Sequence, residues 1–326
     1  MAFEQNALNF CSIQGKNHSK SYSLARIFNT EEGKKASYFA VMCLGNTPIC
    51  QLSYKTKGSG KMAKITTILL SIYTCFVLTG CATNPVTGES QLMLVSEQQE
   101  LQMGAQYAPQ LEEQMGGRIA NNTLQNYVNT VGQNIARISH QPNLQFTYVA
   151  LDHESINAMA LPGGYVFVTR GMLEKLNTEA QLAGILAHET AHVTAKHSAQ
   201  AMSRQMGIDL ALSVATEGKS SGAAQAAGMG AQMFITLPRS REDEHQADSI
   251  GMDYTANAGY TPRAMIETME ILEAESSVRP IEFLSTHPNP GNRKQNLLNQ
   301  IASRNYQQAL KIGRDDYKKF VSDNLK

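Results

Sequence analysis

The chain has 326 residues, enough for one large or two modest domains. Its 28 basic residues balance its 28 acidic ones, so no bulk cationic excess exists to neutralise phosphates and no nucleic-acid partner is expected. A hydrophobic content of 42% suffices for a core and excludes wholesale disorder.

In chain order, residues 1–61 show mixed composition, no clear periodicity and three of the five cysteines, Cys11, Cys43 and Cys50. No fold is assigned to them. Lys61 and Lys64 then flank the start of an apolar run, Ile65 to Leu78, of signal-peptide length and too short to span a bilayer comfortably. The run ends in Leu78-Thr79-Gly80-Cys81, which resembles the lipobox of bacterial lipoproteins. That resemblance implies a signal peptide over 62–80, cleavage before Cys81, and lipid on the Cys81 thiol. Ala82 in the next position implies an outer-membrane address facing the periplasm. A secretory signal should lie near the N-terminus, so Met62 is read as the initiator and 1–61 as a non-native upstream extension. No cysteine follows Cys81, which excludes disulfides and thiolate chemistry beyond it.

Residues 81–95 read as an extended, lipid-anchored tether, and 96–326 as one mainly helical α+β domain. Ser96 opens a helix whose buried face is Leu101, Tyr107, Leu111 and Met115, ended by Gly116-Gly117. Asn122 to Ser139 is a second helix, with Leu124, Tyr127, Val128, Val131, Ile135 and Ile138 at helical spacing. The period changes to two in "LQFTYVALD", through Phe146, Tyr148 and Ala150. "INAMALPGGYVFVTRGML" reads as two strands around a turn at Pro162-Gly163-Gly164, giving a small sheet. Thr178 with Gln181 fits a capping box and opens a helix expected to continue to about Arg204. Met206 to Phe234, rich in Gly, Ala and Met, reads as a helical hairpin broken near Gly218 to Gly222. It is either packed tightly through small residues or in contact with membrane or substrate. Helices follow at Arg239 to Gly259 and Pro262 to Glu275, then the Pro-rich turn "STHPNPGNR", then helices to the end.

The chemistry sits in "AGILAHETAHVTAKH". His188 and His192 are four apart, so on a helix they share one face and can meet one Zn²⁺ ion. Glu189, one residue on, is swung away from that face toward the open side of the metal, where a general base belongs. Three protein ligands leave a fourth position for water. The third is sought in "SREDEHQADSIGMDY", where Glu244 and Asp248 are four apart. Glu244 would complete a His₂Glu set, and Asp248 could accept a hydrogen bond from a ligand imidazole and fix its tautomer. By chemistry alone Glu242, Asp243 and His245 compete, because a gap of about fifty residues carries no geometry. His197, five residues after His192, falls off the metal face and is read as structural, as are His140, His153 and His245.

Taken together, "CATNPVTGESQLMLVSEQQE", "INAMALPGGYVFVTRGML", "LAGILAHETAHVTAKH", "SREDEHQADSIGMDY" and "STHPNPGNR" resemble the M48 zinc metallopeptidases, in particular their periplasmic lipoprotein branch. The resemblance implies a zincin-type domain with a small sheet beside the active-site helix. It makes Glu244, the glutamate opening E-x-x-A-D, the third ligand to one zinc ion per chain. It also implies substrates among unfolded or misassembled envelope proteins. The chain stops near Lys326, short of the helical-repeat domain some members carry, and it lacks the several membrane spans of others. The segment from Asn157 to Arg170, with Asn157, Gly163 and Gly164 as contacts, is a candidate edge for pairing with a substrate backbone. His287 is a candidate oxyanion stabiliser. By resemblance it is alternatively a switch that occupies the open metal position and holds the enzyme inactive. The competing function is a periplasmic chaperone or assembly factor for outer-membrane proteins with a latent zinc site.

Overall fold

A computed structural model describes residues 21–27, 37–44, 47–49, 81–215, 239–278, 280–287, 292–304, 306 and 311–325. The chain divides into two units, 1–80 and 81–326. In the first, where the sequence suggested no fold, three strands pair antiparallel in the order β1-β2-β3: β1 (Ser21–Ile27), β2 (Ser37–Leu44) and β3 (Thr47–Ile49). The expected signal segment, 62–80, lies outside the described residues.

The second unit begins with a correction. The expected tether is folded: β4 (Cys81–Thr83) and β5 (Ser90–Leu92) form an antiparallel hairpin. Asn84 holds the intervening turn by accepting from the Val86 and Thr87 amides at 2.8 and 3.2 Å. The same buried side chain donates to the Ala195 carbonyl at 3.1 Å, and the Leu94 amide donates to Ser203 Oγ at 2.9 Å. Local polar groups therefore dock this stretch where composition suggested a free linker.

Helix α1 (Glu97–Gln114) starts from a Ser96–Gln99 capping box. Of its expected inner face Leu111 and Met115 are buried and Tyr107 is half-buried, whereas Leu101 is 44% exposed and Glu100, Gly104 and Ala108 are buried instead. Gly104 permits the close approach, since a Cβ there would stand 2.1 Å from the Pro162 carbonyl oxygen. Glu100 tolerates burial because Lys196 Nζ donates to it at 2.7 Å. Helix α2 (Asn122–Ile138) buries Leu124, Val128, Val131 and Ile135, and Ile138 emerges at its end.

Three strands follow: β6 (Thr147–Leu151), β7 (Ala158–Leu161) and β8 (Tyr165–Thr169). Their order is β6-β8-β7, with β6 parallel and β7 antiparallel to β8. Both faces of this sheet are covered. Tyr148, Ala150, Ala158, Ala160, Val166 and Val168 pack with α2 and the following central helix. Val149, Leu151, Met159, Leu161 and Phe167 pack with Ala108, Leu111 and Met115. A strand buried on both faces reads as a continuous apolar run, which is what "YVAL" and "YVFV" are.

After the short α3 (Arg170–Leu173) comes α4 (Glu179–Thr194), every residue of which is buried. Buried along its whole length, it lies at the centre of the fold. Thr178 caps it by accepting from the Gln181 amide at 3.2 Å, while Gln181 Oε1 accepts from Asn177, not from the cap residue. The expected run to Arg204 is broken. Ala195 ends α4, Lys196 adopts φ 59°, and α5 (His197–Ala215) departs in a new direction. The rest of the expected hairpin, 216–234, lies outside the described residues. Then come α6 (Arg241–Asn257), α7 (Arg263–Val278), α8 (Glu282–Thr286), α9 (Arg293–Ser303), α10 (Arg314–Phe320) and a 3₁₀ turn at Ser322–Asn324. Among the described residues no helix is long and apolar enough to cross a membrane.

Candidate metal centre

Two helices bring the chemistry together. Helix α4 carries His188, Glu189 and His192, and α6 carries Glu244 and Asp248. They cross closely because residue 251 is glycine: a Cβ there would meet both Cα and N of His188 at 3.0 Å. Ser240 starts α6 with a capping box to Asp243, so Asp243 is consumed by the cap and paired with Arg204 at 3.1 Å. Glu244, one residue further, points inward.

His188 Nε2 and His192 Nε2 stand 3.0 Å apart. Glu244 places Oε2 3.5 Å from the first and Oε1 3.4 Å from the second. A tetrahedral ion with ligands at about 2.0–2.1 Å has ligand–ligand edges of roughly 3.3 Å, so this triangle fits a divalent cation such as zinc. Of the competing acids and bases, Glu242 is exposed and His245 meets Asn296 Nδ2 at 3.2 Å.

Each ligand is held from behind. Asp248 Oδ1 lies 3.1 Å from His188 Nδ1. Arg293 fixes that carboxylate with two bonds of 2.6 Å and reaches Glu244 Oε2 with a third contact of 3.1 Å. His192 Nδ1 meets His197 Nδ1 at 2.7 Å, and His197 Nε2 meets Gln246 Oε1 at 2.7 Å. Burial alone would depress the His188 imidazole, but hydrogen bonds and charges from Asp248 and Glu244 outweigh it and raise its pKa to about 9. Burial, together with the Arg239 charge, holds His192 well below its ordinary value. Burial also lowers His197 to about 4. Glu244 and Asp248 resist the upward push of burial and lie below the carboxylate range, through His287 and His188 for the former and Arg293 and His188 for the latter.

Glu189 is different. Both its carboxylate oxygens are buried and accept no hydrogen bond among the described residues. His287 Nε2 stands 3.4 Å from its Oε1. An orphaned buried carboxylate is expensive, and its place beside the ligand triangle fits a group that awaits a cation and a water.

His287 follows α8 and enters the same cluster. Its Nδ1 lies 3.0 Å from Glu244 Oε1 and 3.3 Å from His188 Nε2. Ligand atoms of His188, His192, Glu244 and His287 all fall within 4.8 Å of one another. Phe283 stacks on the His287 ring at 4.5 Å between centroids. His188, His192, Glu244, Glu189 and His287 are at most 3% exposed, so the centre is closed.

The residues expected to contact substrate, Asn157, Gly163 and Gly164, are held by the fold itself. Asn157 is buried, and its Nδ2 donates to Glu282 Oε2 at 3.3 Å, tying the start of β7 to the helix that His287 follows. Gly163 and Gly164 turn the hairpin with φ of 80° and 95°, enclosed by the backbone of Glu100, Leu101 and Gln145. Close packing, with room for no side chain, accounts for both glycines. His140 and His153 bond to Tyr254 and Ser155, outside the cluster. Reading the sequence missed Arg293, Gln246 and the contact of His197. Arg293 closes the quoted "STHPNPGNR" motif, which was the one signal for it.

A central helix with H-E-x-x-H, faced by a glutamate from a second helix and backed by a small mixed sheet, defines a metallopeptidase domain. The chain matches peptidase family M48 over residues 122–301, more than half its length, and it belongs to that family. It is similar to the beta-barrel assembly-enhancing protease of Escherichia coli K12, 31% identical over 223 residues, which cover 65% of this chain and 45% of that one. The mitochondrial metalloendopeptidase OMA1 of Danio rerio is 30% identical over 248 residues, 70% of this chain and 52% of that one. OMA1 of Arabidopsis thaliana is 28% identical over 165 residues, 51% and 33% of the two chains. The chain spans about half the length of the curated relatives it matches.

Proposed function

We propose that the chain is a zinc endopeptidase of the bacterial cell envelope, holding one Zn²⁺ on His188, His192 and Glu244 and cleaving unfolded or misassembled envelope proteins. The observation that carries this reading is the Glu189 carboxylate, buried with no hydrogen bond among the described residues beside a ligand triangle of cation dimensions. Zinc bound there supplies Lewis acidity, lowering the pKa of water toward neutrality and polarising the scissile carbonyl. Glu189 accepts the proton of the attacking water and delivers it to the leaving amine. Asp248 and Arg293 keep His188 oriented. No serine or cysteine nucleophile takes part.

His287 supports a latent state. It lies against both Glu189 and Glu244, on ground that a substrate carbonyl would need. Its withdrawal with α8 opens the site, and in the open state the same imidazole is placed to donate to a developing oxyanion. The Escherichia coli relative is a beta-barrel assembly-enhancing protease, which favours β-barrel assembly as the setting. The lipobox-like sequence at Cys81 points toward a lipid anchor facing the periplasm, and radiolabelled palmitate incorporation, lost in Cys81→Ala, tests it.

Cleavage of an unfolded casein-type substrate, with and without chelator, tests the enzyme reading. Glu189→Gln should lose at least about 10²–10⁴-fold in rate while retaining zinc. Full cleavage by that variant ends the assignment. The closed centre also favours a second reading, an assembly chaperone with a latent site. Rescue of an envelope defect by the inactive Glu189→Gln protein would select it.

A further inference from the structure

We propose that His197 is a positioning residue: its neutral imidazole, oriented by Gln246, fixes His192 in the tautomer that presents Nε2 to the metal. The proposal rests on the metal-site reading above. A neutral imidazole carries one N–H, and a ligand nitrogen must be the other one. For His192 to offer Nε2, its proton must sit on Nδ1, and Nδ1 needs an acceptor. Its partner at 2.7 Å is another ring nitrogen, His197 Nδ1. Two such atoms form a bond only if one is protonated and the other is not. Gln246 decides which. Its carbonyl oxygen, 2.7 Å from His197 Nε2, requires a donor there. His197 therefore carries its proton on Nε2 and accepts at Nδ1, so His192 donates from Nδ1 and Nε2 is left free. The ring edges meet accordingly, with planes at 71° and centroids 4.9 Å apart.

The two ligand histidines are thus supported by different chemistry. His188 leans on a carboxylate, Asp248, whereas His192 leans on a neutral ring. A further carboxylate behind His192 would be the fourth in a pocket that already buries Glu189, Glu244 and Asp248. In an unbroken helix a residue five positions after His192 would lie roughly 140° around the axis from it. The left-handed Lys196 cancels that offset and swings His197 back. The break is anchored three times: Ala195 O accepts from Asn84 Nδ2 at 3.1 Å and Gln200 Nε2 at 2.8 Å, and Lys196 Nζ pairs with Glu100 at 2.7 Å.

The test is zinc affinity of the full chain by competition with a chromophoric chelator, with thermal melting of the metal-free forms alongside. His197→Phe keeps a ring and removes the acceptor; His197→Asn places an amide oxygen near the former Nδ1. The expected order is wild type, then Asn within about threefold, then Phe weaker by about 10–100-fold. A packing role gives the opposite order, because Phe fills the space better than Asn. Phe binding as tightly as wild type, or Asn as weakly as Phe, overturns the proposal. Should either variant fail to fold, partly exposed Gln246 decides: Gln246→Leu should weaken binding several-fold and Gln246→Glu should restore it. An unchanged Gln246→Leu overturns the proposal. Absence of zinc binding by wild type would instead sink the metal-site reading, so the two failures are distinguishable.

Discussion

At the scale of single residues, Arg293 is the side chain on which charge balance in the centre turns. It is buried and pairs with both Asp248 and Glu244, one positive charge shared between two carboxylates. Replacing it with leucine leaves two buried carboxylates without their cation, a loss of about 3–5 kcal/mol. A bound divalent ion restores part of that positive charge. Arg293→Leu should therefore lower the melting temperature more in the metal-free protein than in the zinc-loaded one. Equal losses in the two forms would show that Arg293 serves packing instead. The nearness of His188 to His192 was legible in the sequence, because a four-residue spacing on a helix carries its own geometry. Arg293 and His197 were not legible. Each acts through a partner whose distance in space is set by a tertiary contact or a backbone break, and neither leaves a local period.

At the scale of elements, the centre depends on how closely α4 and α6 approach. Gly251 sets that distance against the backbone of His188, which cannot move aside as a flexible side chain could. Gly251→Ala should force the helices apart by a few tenths of an ångström. The expected cost is about 1–3 kcal/mol in stability, together with weaker zinc binding, since Glu244 and Asp248 ride on α6. Unchanged melting and unchanged chelator competition would refute this role. The elements themselves were largely readable: caps at Ser96 and Thr178, the hairpin at 162–164 and the helical periods all have local causes. The break at Lys196 was not. Neither glycine nor proline marks it, and a lysine in the left-handed region costs roughly 1–2 kcal/mol. Contacts from Asn84, Gln200 and Glu100, spread over more than a hundred residues of sequence, offset that cost.

At the scale of the whole second unit, 81–326, the start of α4 is where distant parts of the chain are joined. Glu179, the first residue of α4, accepts from Tyr127 at 2.7 Å, Tyr260 at 2.6 Å and Lys311 at 2.5 Å. The backbone adds Glu179 N to Gly313 O at 3.1 Å and Ala180 N to Ile312 O at 3.0 Å. Segments before, after and far beyond α4 thus converge on one carboxylate, which the helix N-terminus also favours. Burial pushes its pKa up, but Lys311 and the two tyrosine hydroxyls outweigh burial and hold it below the ordinary 4.5. The folded state therefore takes up this proton less readily than the unfolded chain does. The stability it contributes is complete above about 4.5 and is lost as pH falls through the lower, folded value. Glu179→Gln should melt lower than wild type at neutral pH, and the gap should narrow on acidification through that range. Amide exchange in residues 311–317 should rise in wild type over the same interval, as the C-terminal segment loosens from α4. Parallel melting curves for the two proteins from about pH 6 down to about pH 3 would show that the carboxylate does not secure the closure of the unit.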